Sequence, residues 1–462
     1  MMWSCAFKAA AGAMLAWLLF GSPHAWAQAA PRTEISFARF FGSCEADFGS
    51  VTDPALATGE CGIITALANR FNATNTDGIV LRPQVIEHGS YYNQLGARII
   101  GRDLPAIIIM HSSVLSDFAR RELLEPLDEG FQSVGISSAD FTPQAERAVN
   151  IGGRRYALPF DTHAWLWHLN HNLLKQAGLV NPDGSVLVPR SPQELLAQAR
   201  RFKAATGKPY FIWLTVNDAP FFARTLMTLV HQQGGTLFPK SPTEIDLRSR
   251  EVRDALELMQ TMYNEGLASH GHDYAQGIRA FVAGQGAVMV NGTWLIGDLN
   301  KQATVRGSAL ERGYATLPFP TLFSQPAMWA DNHVMAMLKG GTGNPAERRA
   351  ALLFLKFLYD EGGAWARTGQ LPTRQSVLDS SAFRALPFRP ALVPIGQFGA
   401  GLPLSVARQS RVASILGDGV GSIILHGKPV DATLARAERS ITQLLQRESQ
   451  FSAGRLLAPA KP

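Results

Sequence analysis

Between the charged pair Arg102-Asp103 and the polar stretch His111-Ser112-Ser113 every residue is apolar, Leu104 and then the run Pro105-Ala106-Ile107-Ile108-Ile109-Met110. A run with no polar alternation must be covered on both faces, the condition of a strand inside a parallel sheet flanked by helices. The chain before it alternates in kind. Glu34–Phe40 has the period of a half-buried strand, Ile63–Phe71 repeats apolar residues at helical spacing, Gly78–Val85 returns to strand character, and Ser90–Ile100 reads as a helix. Strand, helix, strand, helix, strand is the order of an α/β domain.

The pattern continues beyond Ala157-Leu158-Pro159-Phe160-Asp161. Another strand-like run, Trp165–Asn170, is followed by predicted helices at Asn172–Ala177, Pro192–Ala205, Phe221–Gln233 and Arg250–Glu265. Short apolar strands are expected at Gly286–Val290, Tyr314–Pro318 and Asn332–Leu338, with a helix at Pro345–Asp360. Gly417-Asp418-Gly419-Val420-Gly421 lacks the full dinucleotide register and reads as a turn. With 462 residues and 46% apolar content, the chain exceeds one ordinary core and implies two domains.

The first residues set the compartment. Lys8 precedes an uncharged, Ala- and Leu-rich run too short to span a bilayer, and Ala25-Trp26-Ala27 supplies the small residues of a cleavage site. Residues 1–27 therefore read as a signal peptide and the destination as the periplasm. No cysteine stands at the cleavage point to accept lipid. Of the remaining cysteines, Cys44 and Cys61 close a short Gly-rich loop, and an oxidising compartment favours pairing them; the competing arrangement is two separate buried thiols. The formal charge of +6 is spread without a basic block, which argues against nucleic acid.

No nucleophile elbow, zincin motif, paired Cys-x-x-Cys or P-loop occurs, so no catalytic residue is assigned. His270-Gly271-His272-Asp273 and His168-Leu169-Asn170-His171 are the nearest metal-like clusters. The first reads as a solvent loop and the second as a strand-to-helix junction, so neither a metal nor a cofactor is expected.

Several stretches, in order, resemble the family 1 extracellular solute-binding proteins: Leu123-Leu124-Glu125-Pro126-Leu127-Asp128, Gly153-Arg154-Arg155-Tyr156-Ala157-Leu158-Pro159, Leu169–Leu179, Ala280–Met289, Asn291-Gly292-Thr293-Trp294 and Thr368-Gly369-Gln370-Leu371-Pro372-Thr373. The insertion bearing Cys44 and Cys61, His111-Ser112 after the third strand, and a long C-terminal extension depart from that pattern. The resemblance implies an α/β, two-lobed periplasmic-binding-protein fold of type II. The lobes would comprise residues 28–160 with 319–371 and residues 161–318 with 372–462, crossing near Pro159-Phe160, Leu317-Pro318 and Gln370-Leu371-Pro372. It also implies capture of a carbohydrate in the interlobe cleft by a monomer, and delivery to the membrane permease subunits of an ABC importer.

A sugar cleft needs flat aromatic platforms beside carboxylate, amide and guanidinium groups. By position in the resemblance, the first-lobe candidates are Phe41, Ser90, Tyr91, His111 and Ser112. Those of the second lobe are Asp161, Trp213, Asn291 and Trp294, with Asp331, Asn332 and Arg374 after segments that face the cleft. Trp294 is the leading candidate, against the alternative of an ordinary core tryptophan; for Asp331, Asn332 and Arg374 the alternative is a solvated loop. Competing ligands are a polyamine, an iron complex or a glycerol phosphodiester, for which Tyr91-Tyr92 is a candidate feature. A secreted carbohydrate hydrolase is the enzyme alternative, with Asp161 and Glu87 among its candidate carboxylates.

Overall fold

The computed structural model describes residues 32–457, so the expected signal peptide lies outside the described residues. The strands that position the site are β1 (Thr33–Arg39), β2 (Ile79–Val85), β3 (Ile107–His111), β4 (Leu158–Asn170), β5 (Phe211–Ile212), β6 (Val288–Gly292), β7 (Tyr314–Pro318) and β8 (Met328–Met337). They run in the order β2-β1-β3-β8-β4-β6-β5, with β7 also beside β4. β1 is parallel to β2 and β3, β8 is antiparallel to β3 and β4, and β6 and β7 are antiparallel to β4. The apolar run that opened the sequence reading is the inner strand β3, buried from Ile107 to Met110.

Strand β4 differs from expectation. It is one strand buried along its whole length, where the sequence suggested two segments. Asp161-Thr162-His163 interrupts the apolar pattern, and these polar side chains stay inside because each is hydrogen-bonded. The first part of β4 pairs with β8, from Leu158 opposite Met335 to Ala164 opposite Ala330. The second part lies between β6 and β7, with Leu166 opposite both Asn291 and Pro318.

Two large apolar cores flank this junction. One gathers side chains from Ile35 to Phe160 and from Val334 to Trp365; the other gathers those from Ala164 to Ala330 and from Ala366 to Leu445. The chain therefore passes between cores within β4, within β8 and again at Trp365-Ala366. Phe319, Leu322, Met328 and Trp329 pack with the second core, whereas the sequence reading placed residues 319–371 with the first.

The helices that bear on the site are α1 (Gly59–Thr74), α2 (Tyr91–Gly101), α3 (Ser112–Arg120), α4 (Pro143–Val149), α5 (Ala219–Gln232), α6 (Pro345–Asp360) and α7 (Gln409–His426). α6 starts where its signals place it: the Asn344 side chain accepts from the Glu347 amide, and Pro345 occupies the first turn. The Gly417–Gly421 segment, expected as a turn, is the middle of α7. Its glycines serve packing. A Cβ at Gly417 would overlap the Ala219 carbonyl oxygen, and one at Gly421 would press on the Phe222 ring, so bare backbone lets α7 lie directly on α5.

Cys44 and Cys61 form a disulfide, with Cα atoms 6.1 Å apart, that ties the first turn of α1 to the loop after β1. Among the described residues no helix is long and apolar enough to cross a membrane.

Candidate ligand-binding cleft

A cavity of about 710 Å³ opens between the two cores. The first-lobe wall is His88 and Tyr92 at the start of α2, His111-Ser112-Ser113 at the junction of β3 and α3, and Gln144 and Arg147 on α4. The opposite wall is Arg224 and Met227 on α5, Trp329 with Asp331-Asn332 on β8, and the segment from Gly399 to Leu404. Its position at the C-terminal end of β3, a strand of a parallel group, is where open α/β sheets expose their ligand-facing loops.

Which of these groups are free decides what the cavity can bind. Asn332 is committed to Gln144, Thr162 and the Asp161 carbonyl, so the amide pair is scaffolding. Asp331 accepts from Ser112 Oγ at 2.5 Å, from the Ser113 amide and from its neighbour's amide, all through Oδ1. Its Oδ2 takes no hydrogen bond among the described residues. The Arg224 guanidinium lies 4.1 Å from the centre of the Trp329 ring and 5.3 Å from that of Trp165, with no hydrogen bond or ion pair of its own among the described residues. Burial lowers its basicity, and the charges of Asp218 and Asp331 partly restore it. Arg147 is exposed at the rim and likewise unpaired.

Behind the His111 wall is a buried polar centre built on Asp161. Its carboxylate accepts from Trp365 Nε1 at 2.7 Å, from His333 Nδ1 at 2.8 Å, from the His333 amide at 3.2 Å and from His163 Nδ1 at 3.3 Å. Burial alone would raise this carboxyl, but the charge of His333 and the imidazole hydrogen bonds outweigh it and hold Asp161 below the usual carboxylate range. The half-buried Glu60 nearby has the opposite balance: burial dominates the His333 charge and the Gln370 hydrogen bond, and lifts it to about 7.

Of the residues singled out in the sequence, His111, Ser112, Asp331 and Asn332 meet at this cavity. The others lie elsewhere. Tyr91 is fully buried and donates to the Ala38 carbonyl; its neighbour Tyr92 reaches the cavity wall. Ser90 donates to the Glu87 carbonyl and accepts from Gln94. Phe41 and Asp161 sit behind the wall, Phe41 packing on His333 and Trp365. Trp213 is in the second core against Phe221, and Asn291 is buried in β6. Arg374 is tied to Asp140 at 2.7 Å and laid over Tyr359, beside a separate small recess. Trp294 is half-buried, donating to Tyr274 Oη at 2.7 Å with its ring over Gly292, where any Cβ would collide with it.

The two histidine clusters seen in the sequence do not converge. His168 is locked between Tyr314 and the Gly292 carbonyl, His171 reaches the Gly184 carbonyl, and His270 stacks on Tyr263. The residues that sequence reasoning missed are His88, Gln144, Arg147, Arg224 and Trp329, while Tyr92 was named only with Tyr91 as a feature for the competing ligands. Arg224 carried the one usable signal, a lone Arg among the many apolar residues of the predicted helix Phe221–Gln233.

Two α/β lobes, crossed three times by the chain and enclosing a cavity lined from both sides, define a two-lobed binding protein of the periplasmic type. Comparison agrees. Residues 61–365 match the bacterial extracellular solute-binding protein model, and the chain belongs to that family. It is 24% identical over 265 residues to a lactose-binding protein of Rhizobium radiobacter, covering 55% of this chain and 57% of that protein. It is also 24% identical over 226 residues to a maltotriose-binding protein of Pyrococcus abyssi, covering 49% of this chain and 44% of the relative. The chain thus spans about half the length of the curated relatives it matches. Among solved structures, the GacH receptor of Streptomyces glaucescens, studied unliganded and with acarbose, superposes with a TM-score of 0.73 at 18% identity, over 90% of this chain and 99% of that one.

Proposed function

We propose that the protein captures a carbohydrate in the interlobe cavity and delivers it to the permease subunits of an ABC importer, acting as a monomer in the periplasm after removal of residues 1–27. The observation that carries this reading is the juxtaposition of Trp329, Arg224 and Asp331 in one cavity of about 710 Å³. Aromatic rings suit the C–H faces of a sugar. An unpaired guanidinium and a free carboxylate oxygen suit its hydroxyl rim, with hydrogen bonds strengthened by charge. Family membership and relatives named for lactose and maltotriose support the same class. The protein binds its ligand without altering it, and the hydrolase alternative is set aside. Trp294, outside the cavity wall, is retained as a residue that borders the cleft when the lobes move.

A second reading has its own observation. Arg147 and Arg224 both lack a carboxylate partner among the described residues, which also suits a phosphodiester, and a mycobacterial protein similar in fold was solved with glycerophosphocholine. Thermal-shift and calorimetric titration against mono- and oligosaccharides and glycerol phosphodiesters separates the two. A ligand at about 100 times its Kd adds roughly 2.7 kcal/mol of stability. Saturable binding of a neutral sugar, recovered unchanged, is the expected result. A response confined to phosphodiesters, weakening with salt, would replace the substrate class, and turnover of a glycan would overturn the binding-protein reading.

A further inference from the structure

His111, His163 and His333 come from three separate strands and converge beside the cavity, and one ring nitrogen of each lies within 4.8 Å of the others. The spacing of their rings agrees: 5.7 Å from His111 to His163, 5.1 Å from His111 to His333 and 4.3 Å from His163 to His333. Their hydrogen bonds decide which nitrogens are on offer. Both Asp161 oxygens already accept from obligate donors, the His333 amide on Oδ1 and Trp365 Nε1 on Oδ2, so the contacts they make with Nδ1 of His163 and of His333 place the proton on Nδ1 in both rings. In the neutral rings that leaves the Nε2 lone pairs free, and neither Nε2 has a hydrogen-bond partner among the described residues.

The third ring is arranged alike. Tyr92 Oη accepts from the His111 amide at 2.9 Å and lies 2.8 Å from His111 Nδ1, and His111 Nε2 has no hydrogen-bond partner among the described residues. A carboxylate or hydroxyl behind each imidazole is the supporting arrangement that orients histidine ligands to a metal and fixes their tautomer. Two carboxylates stand close by: an oxygen of Glu60, an oxygen of Asp161 and one ring nitrogen of His333 lie within 4.8 Å of one another. His111 is half-buried and lines the cavity, so the group is reached through it.

We propose that His111, His163 and His333 form a binding site for a borderline transition-metal dication of the zinc type at the floor of the cleft. Three neutral imidazoles suit Zn²⁺ or Co²⁺ and not Mg²⁺ or Ca²⁺, which take oxygen ligands. Three protein ligands also leave one coordination position for water or a ligand oxygen. The site is independent of the nature of the captured solute, and its test uses the metal alone.

Metal-stripped full-length mature protein is titrated with Co²⁺ by calorimetry and visible absorption, then with Zn²⁺ in competition and Mg²⁺ as control. The expected result is one Co²⁺ per chain with the intense ligand-field bands of a tetrahedral nitrogen site, displaced by Zn²⁺ and untouched by Mg²⁺. His111→Gln is the first variant, because His111 is half-buried and tolerates exchange better than its buried partners; at least a 10-fold loss of affinity is expected with the far-ultraviolet spectrum retained. His163→Gln should abolish the bands if it folds. Absence of saturable stoichiometric binding in the parent protein overturns the site. So does a His111→Gln protein that is folded and binds Co²⁺ with unchanged affinity and bands.

Discussion

At the scale of single residues, the candidate cleft separates groups that the protein uses for itself from groups it leaves free. Arg224 is the clearest free group, held in place by stacking on Trp329 and by no hydrogen bond among the described residues. Arg224→Ala should therefore weaken ligand binding by about 10- to 100-fold, the loss of one or two charge-assisted hydrogen bonds. The midpoint of thermal unfolding without ligand should stay within a few degrees, and calorimetry with differential scanning reads both quantities. His168 is a contrasting case, wholly committed. Its Nε2 faces the Gly292 carbonyl and its Nδ1 faces Tyr314 Oη, so the neutral ring is satisfied, and burial lowers its pKa to about 4. The folded pKa is below the unfolded value of about 6.5, so the unfolded chain binds the extra proton first. The stability from this group is present above pH 6.5 and is lost as pH falls toward 4, by on the order of 2 kcal/mol between pH 7 and pH 5. The unfolding free energies from urea titrations at those two pH values should differ less in His168→Gln than in the parent by that amount. Individual positions were the least legible part of the sequence. Ser90-Tyr91 was the right helix start, but successive helical residues diverge by about 100°, so Tyr92 rather than Tyr91 meets the cavity. His163 and His333 gave no sign of each other because their meeting depends on the register of β4 against β8.

At the scale of elements, the sequence was read well wherever local signals and burial agree. The helix from Pro345 to Asp360 has both its cap and its apolar stripe, and the inner strand β3 has an unbroken apolar run. Elements failed where tertiary packing overrides local preference. β4 carries Asp161-Thr162-His163 through the middle of the molecule because partners on β8 and α4 satisfy these side chains, information that lies in residues far along the chain. In α7, three glycines in five residues suggested a turn, yet two of them are what allow α5 and α7 to touch. Gly417→Ala should accordingly destabilise the protein by about 1–3 kcal/mol or more, since the new methyl meets backbone that cannot rotate away. Gly419→Ala is the control: its Cβ would meet only the Ala437 Cβ at 3.4 Å, and the higher helix propensity of alanine should make it neutral or slightly stabilising. Chemical denaturation of the two variants distinguishes a packing role from a helix-breaking one, because the second role predicts that both substitutions stabilise.

At the scale of the whole molecule, the cores and the cavity were legible in outline, as two lobes with a cleft between them, while the contacts that hold one lobe against the other were not. Some of these lie in the C-terminal extension. Asp117 on α3 accepts the Arg408 amide through both carboxylate oxygens at 3.0 Å, Arg120 donates to the Leu404 and Ser405 carbonyls, and Arg121 pairs with Glu448 at 2.6 Å. These bonds join the first-lobe helix to the segment that closes the far side of the cavity, so they exist only while the lobes are together. A bond that favours the closed arrangement raises the population able to grip ligand, and removing it lowers apparent affinity without touching the ligand. Asp117→Ala should then weaken ligand binding by about 5- to 30-fold, the range expected from about 1–2 kcal/mol of charged hydrogen bonding. The ligand-free protein should show a larger radius of gyration by small-angle scattering, and the ligand-bound protein an unchanged one. If affinity and both radii match the parent, the clasp is equally made with and without ligand, and closure must be driven by contacts at the cavity itself. The scattering measurement keeps this outcome apart from simple loss of stability, because an unfolded fraction would enlarge the bound form as well as the free one.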